Sequence, residues 1–140
     1  MTDRPSVVFV CVSNRGKSVM AEGLMRRVAG DRFDVSSAGT EAKVGGSVNE
    51  LSAEVLAELG VDITGHAPRQ LTGEIAAAAD LVVVVGTAAR VDPPPGVAVE
   101  VWDTDEPSLR GIDGIERMRI IRDDIAERVG ELAERLSVRS

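Results

Sequence analysis

The chain has 140 residues, 44% of them hydrophobic, with a formal net charge of −7 at pH 7 and an isoelectric point near 4.7. That length is most simply a single domain, 1–140, long enough to bury a proper core, and the apolar fraction argues against disorder. The acidity argues against a nucleic-acid partner, and one cysteine in the whole sequence excludes an internal disulfide and fits a reducing cytoplasm.

Met1-Thr2-Asp3-Arg4-Pro5 does not read as a signal peptide, because the apolar run that follows is too short. That run, 6–11, reads as a buried strand ending on the lone Cys11. Val12-Ser13-Asn14-Arg15-Gly16-Lys17-Ser18 then leads into a helix over 18–29, with Met20, Leu24 and Val28 on its apolar face. A thiol thus stands where a strand hands over to a helix, beside a short loop with a cation at its far end. Helix N-termini and successive backbone N–H groups bind oxyanions. A positive helix end and nearby cations favour the nucleophilic thiolate. The loop 12–18 therefore reads as an oxyanion cradle against Cys11, the competing reading being a buried structural cysteine.

A second strand is expected over 33–36. A second helix begins at Ser47, with Glu50 three residues on as in a capping box, and stops at Gly60. A weaker helix runs from Thr72 to about Ala79. Residues 81–85 show no alternation, which suits a parallel strand covered on both faces, and 97–102 is the fourth strand. Trp102-Asp103-Thr104-Asp105-Glu106-Pro107 follows as an acidic turn. The last helix spans roughly 114–136, its stripe of Ile115, Met118, Ile121, Ile125, Val129, Leu132 and Leu136 marking core. No apolar run approaches the length that spans a bilayer, so no membrane partner is expected.

Strands alternating with helices imply a doubly wound parallel sheet, an α/β fold with helices on both faces. Ligands in such sheets bind outside the carboxyl ends of strands. That edge would hold both Cys11 and the acidic turn. Within the loop, Gly16 permits an unusual backbone angle and close approach to an anion. Ser18 can donate to the thiolate, and Asn14 tolerates a left-handed conformation and can tether the loop. Arg15 is either a solvated charge or a contact to anion or thiol. A carboxylic acid at Glu106 or Asp105 could protonate a departing oxygen, the alternative being a plain acidic turn. One His and one Cys make a poor ligand set, so no metal is expected.

Cys11-Val-Ser-Asn-Arg-Gly-Lys17-Ser18-Val-Met20-Ala21-Glu22 resembles the phosphate loop of the low-molecular-weight tyrosine phosphatases and their arsenate reductase relatives. Val35 to Thr40 is similar to that family's second-strand exit, Asp62 to His66 to its helix-to-loop segment, and Trp102 to Pro107 to its acid loop. The resemblance covers nearly the whole chain in order. It implies a flavodoxin-like four-stranded sheet and catalytic roles for Cys11, Lys17, Ser18 and Glu106 or Asp105. It also implies oxyanion binding by Val12, Ser13, Asn14, Arg15, Gly16, Lys17 and Ser18, and a supporting network of Asn14, Ser18, Ser37 and His66.

Three departures select the branch. There is no tyrosine, and Phe9, Phe33 and Trp102 are the only aromatics, so the phosphatases' aromatic walls are missing. The two further cysteines of thioredoxin-coupled reductases are absent near 86–93. The loop arginine is Lys17, a point charge where a guanidinium would grip two oxygens. Together with the ending Glu116 to Asp123, these look most like the single-cysteine actinobacterial branch. That resemblance implies an arsenate–mycothiol transferase with no bound cofactor. Mycothiol would be its low-molecular-weight thiol cosubstrate, and a glutaredoxin-like mycoredoxin its reducing partner. The alternatives are a phosphatase on a non-aromatic phosphomonoester and a non-catalytic oxyanion-binding or thiol-sensing module.

Overall fold

A computed structural model describes residues 4–138, so Met1–Asp3, part of the stretch read as no signal peptide, lie outside the described residues. In chain order the elements are β1 (Ser6–Cys11), α1 (Lys17–Ala29), β2 (Asp34–Gly39), α2 (Glu50–Ala57), α3 (Gly73–Ala78), β3 (Leu81–Val85), β4 (Val99–Trp102), a 3-10 turn (Pro107–Arg110) and α4 (Gly114–Val138).

The four strands form one parallel sheet in the order β2-β1-β3-β4. The chain leaves β1 for one neighbour and later returns to its other side, so the carboxyl end of β1 is the topological switch point. Cys11 ends that strand, opposite Gly39 of β2.

Both faces of β1 are covered, which is why its run shows no alternation. Val7 and Phe9 pack with Met20, Leu56, Ile125 and Leu132 of α1, α2 and α4, while Val8 and Val10 pack with Ala76 of α3. The α4 stripe is core: Ile121, Ile125, Val129 and Leu132 are no more than 1% exposed. Each such side chain stabilises the fold by about 1.5–3 kcal/mol relative to leaving it in water. Among the described residues no helix is long and apolar enough to cross a membrane.

Several local expectations need correction: Val28, read on the apolar face of α1, is 48% exposed, and the fourth strand begins at Val99 rather than at 97. The second strand continues to Gly39 rather than ending at 36, because β1 pairs with Ser37, Ala38 and Gly39 in unbroken register. Tertiary pairing there overrides the weak strand propensity of Ser-Ser-Ala-Gly. The capping box at Ser47 and Glu50 does not form. Asn49 caps α2 instead, its Oδ1 accepting from the Ser52 N–H at 3.0 Å, and the helix is only eight residues long.

Candidate functional site

The loop between β1 and α1 turns its carbonyls outward. The Thr40 N–H donates to Cys11 O at 3.0 Å, Glu41 N–H to Val12 O at 2.8 Å, Lys43 N–H to Ser13 O at 3.1 Å and Asn49 N–H to Arg15 O at 2.8 Å. His66 Nε2 lies 3.2 Å from Asn14 O. In a trans peptide the carbonyl and the following N–H point in opposite directions. The N–H groups of the loop therefore face the other side, where the Asn14 N–H already donates to Cys11 Sγ at 3.3 Å. Among the described residues, no hydrogen bond uses the N–H of Val12, Ser13, Arg15 or Gly16. With the free N–H groups of the first turn of α1, this is a concave set of donors shaped for a tetrahedral oxyanion.

Asn14 has φ 58°, the left-handed conformation, while Gly16 has φ −131°. The left-handed conformation expected at Asn14 is the one it adopts, and its side chain is fully buried and tied on both ends. Its Oδ1 accepts from the Arg69 N–H at 2.8 Å and faces His66 Nε2 at 3.0 Å. Both Oδ1 and the Asn14 carbonyl are acceptors, so His66 carries its proton on Nε2. Asn14 Nδ2 donates to Ser18 Oγ at 2.9 Å and to Ser37 Oγ at 3.0 Å. Ser37 in turn donates to the buried carboxylate of Glu22 at 2.5 Å, and Glu22 pairs with Arg26 at 2.8 Å. Ser18 Oγ stands 3.0 Å from Cys11 Sγ.

A cavity of about 350 Å³ opens over the sulfur, walled by Val12, Ser13, Gly16 and Lys17 of the loop, Gly86 to Ala89 after β3, and Glu106. Lys17 Nζ donates to Thr104 Oγ1 at 3.1 Å. A second cavity of about 210 Å³ shares Ser13, Gly16 and Lys17 with it and extends to Arg15, Asn49, Ser52 and Arg117. Arg15 Nε donates to Ser47 O at 2.6 Å, and no carboxylate lies within ion-pairing distance of Arg15 among the described residues.

The two carboxyl candidates separate. Glu106 lines the cavity over Cys11; Asp105 does not. Asp105 forms a two-pronged pair with Arg110 at 2.8 and 3.1 Å, which holds its carboxyl below the usual range. Glu106 accepts from Arg117 at 2.7 and 2.8 Å and from Ser108, and Arg117 foremost holds its carboxyl far below the usual range. In this arrangement both are ionised acceptors rather than proton donors. All three aromatics are buried: Trp102 is 4% exposed with its ring 5.6 Å from that of Phe9, and Phe33 is 5% exposed. None lines the cavity over Cys11.

Four residues with no role assigned from sequence prove central to the geometry: Glu22, which ends the buried network, Gly39, Thr104 and Arg117. A Cβ on Gly39 would stand 2.5 Å from Val12 O and 2.9 Å from Asn14 N. Only glycine lets β2 lie that close to the loop. Its place in the Val35 to Thr40 stretch, similar to the family's second-strand exit, was the one available signal.

The sequence model described as low molecular weight phosphotyrosine protein phosphatase matches residues 6–139. Arsenate reductase 1 of Staphylococcus haemolyticus is 31% identical over 137 residues, covering 96% of this chain and 98% of that protein. The arsenate reductase of Bacillus subtilis is 34% identical over 134 residues, 91% and 94% of the two chains. Among solved structures, the thioredoxin-dependent arsenate reductase of Corynebacterium glutamicum superposes on 97% of this chain with a TM-score of 0.79 at 30% identity; this chain spans 63% of its length. A tyrosine phosphatase of Erwinia amylovora, 22% identical, shares the fold with a TM-score of 0.82 over 97% of this chain and 95% of its own.

Proposed function

The chain belongs to the low molecular weight phosphotyrosine protein phosphatase family, and from that premise we propose that it is a thiol-dependent arsenate reductase of the arsenate–mycothiol transferase kind, acting in the cytoplasm in arsenate detoxification. One observation carries the reading: a single thiol faces a ring of free N–H groups, and the chain holds no second thiol to complete a disulfide. Relatives of over 30% identity being arsenate reductases by name supports the choice of oxyanion.

In the proposed reaction the loop N–H groups and Lys17 hold arsenate, and Cys11 with Ser18 promotes substitution at arsenic. The sulfur of mycothiol bonds to arsenic while one oxygen leaves as water, with arsenic still pentavalent. A mycoredoxin-type thiolate then attacks the sulfur of the adduct. The S–As electron pair passes to arsenic, releasing arsenite, and the two sulfurs end as a mixed disulfide. Protonation of the leaving oxygen is assigned to Glu106. The bound oxyanion supplies negative charge beside it and offers Arg117 another partner, and both effects favour the protonated carboxyl. The cavity bounded by Arg15, Asn49 and Ser52 is assigned to the polyhydroxyl part of the thiol.

The test is arsenite release at equal protein with thioredoxin and its reductase, with mycothiol plus mycoredoxin, and with glutathione plus glutaredoxin. Sustained turnover is expected with the second alone. Efficient turnover with thioredoxin alone would overturn the reading. A second reading, a phosphatase on a non-aromatic phosphomonoester, is favoured by the same N–H ring, which suits phosphate equally, and by the absence of an aromatic side chain from the cavity lining. Silence in all three systems beside fast phosphomonoester hydrolysis would establish it. Silence in every assay with retained anion binding would leave a non-catalytic oxyanion-binding or thiol-sensing module.

A further inference from the structure

Lys17 is fixed where three strand exits meet. It opens α1 just after the β1 loop, its Nζ donates to Thr104 beyond β4, and it lies against Gly86 beyond β3. Gly86 has φ +95°, and a Cβ there would stand 3.3 Å from Lys17 Nζ and 3.6 Å from its Cδ. Thr104 is 7% exposed, and the turn carrying it is pinned on both sides by α4. Arg128 donates to Asp103 O at 2.8 Å, and the Asp105 N–H donates to Asp124 at 2.8 Å. Asp124 and Arg128 also pair with each other at 3.1 Å.

The anchor is a neutral hydroxyl. No carboxylate pairs with Lys17 among the described residues. The acidic side chain that shares its cavity, Glu106, has both oxygens engaged by Arg117. An ammonium on a four-carbon stem is otherwise a mobile point charge, and it shares its charge with any carboxylate it meets.

We propose that Thr104 is a positioning residue of the oxyanion site: its hydroxyl sets where the Lys17 ammonium stands and leaves that charge undiminished for the bound oxyanion. The inference rests on the reading that loop 12–18 binds a tetrahedral oxyanion. It does not depend on which oxyanion is turned over.

The experiment is calorimetric titration of inorganic phosphate into wild type, Thr104→Val, Thr104→Ser and Thr104→Asp. Thr104→Val is repeated in a Lys17→Met background, and thermal melts check that each variant folds. Thr104→Val is expected to bind phosphate about 10- to 100-fold more weakly, the scale of one hydrogen bond to a charged group. Thr104→Ser should stay within about twofold, because the hydroxyl is restored. In the Lys17→Met background the valine should cost nothing further, a coupling that a merely structural role would not produce. Thr104→Asp should bind more weakly than Thr104→Ser at low salt, with the gap narrowing as salt is added; this pair carries the test if the valine variant does not fold. Valine binding within twofold of wild type, or an equal loss with and without Lys17, would overturn the inference. Wild type that binds no phosphate would overturn the oxyanion site itself and the inference with it.

Discussion

Cys11 Sγ and Ser18 Oγ stand 3.0 Å apart, and the direction of that hydrogen bond is imposed from the far end of a buried chain. The Glu22 carboxylate can only accept, so Ser37 donates to it. Asn14 Nδ2 can only donate, and it supplies both Ser37 and Ser18. Ser18 Oγ thus already accepts one hydrogen bond and has its own proton to give. When the sulfur is a thiolate, that proton points to it. Buried networks of this kind fix orientation only when every member is satisfied, and among the described residues no buried side-chain polar atom lacks a partner.

Ser18→Ala should therefore slow chemistry at the sulfur without emptying the oxyanion site. A hydrogen bond to a charged group contributes about 1.5–3 kcal/mol, so turnover and the alkylation rate of Cys11 by iodoacetamide at pH 7 should each fall about 10- to 100-fold. Phosphate affinity should change little, since the loop N–H groups remain. An unchanged alkylation rate would show that Ser18 does not serve the thiolate.

Gly39→Ala should collapse the site from outside it. The new methyl would meet Val12 O and the Asn14 backbone, neither of which is a flexible chain end. Overpacking of this sort costs about 1–3 kcal/mol. Relief requires moving the loop, so phosphate binding should be lost along with the melting temperature. Circular dichroism and calorimetry on the same sample test this. A variant that melts lower yet binds phosphate as wild type does would show that the loop is held by other contacts.

The loop from Cys11 to Ser18 was legible in the sequence because its chemistry is contiguous: a strand, a donor-rich turn and a helix start within eight residues. The sheet was legible from β1 and Leu81–Val85, whose unalternating runs mean burial on both faces. The extension of β2 to Gly39 was hidden, because Ser36 to Gly39 is strand only by pairing with β1. Ser47 and Glu50 match the box pattern although Asn49 is the cap, and sequence spacing does not reveal that Ser47 O is engaged by Arg15. Arg117 and Thr104 act on residues 11 and 87 positions away. No local pattern encodes such pairs.

Glu58 ties the end of α2 to α4 and gives stability a defined pH window. Hydrogen bonds from Arg119 and then Arg122 hold its carboxyl down at about 2. A carboxyl depressed in the folded state adds stability above its ordinary value of 4.5. That contribution fades as the pH falls from there towards about 2. Glu58→Gln should therefore melt below wild type at pH 7, with the difference shrinking through that window. Melting curves at half-unit pH steps check it. A gap independent of pH would assign the effect to packing rather than charge.

On the proposed mechanism, Glu106 and Arg117 should set the pH dependence of activity. Without a bound oxyanion Arg117 favours the ionised form of Glu106, and a general acid must carry its proton. Arg117→Met should return the carboxyl towards its ordinary range and so allow partial protonation near pH 5. Relative to wild type, turnover of the variant should rise as the pH is lowered from 7 to 5, and Glu106→Gln added to it should abolish the rise. In the wild-type background Glu106→Gln should cost about 100-fold or more, the scale of general acid catalysis, and Asp105→Asn, which changes a carboxyl outside the cavity, far less. Stability moves oppositely. At pH 7 Arg117→Met should lose about 1 kcal/mol, the upper range for a partly exposed pair. That loss should shrink as the pH falls below the ordinary carboxyl range, because the pair's contribution fades between there and the depressed value of Glu106. If both carboxyl variants turn over like wild type, and Arg117→Met shows no acid limb, the proton comes from solvent and Glu106 serves only to hold the turn.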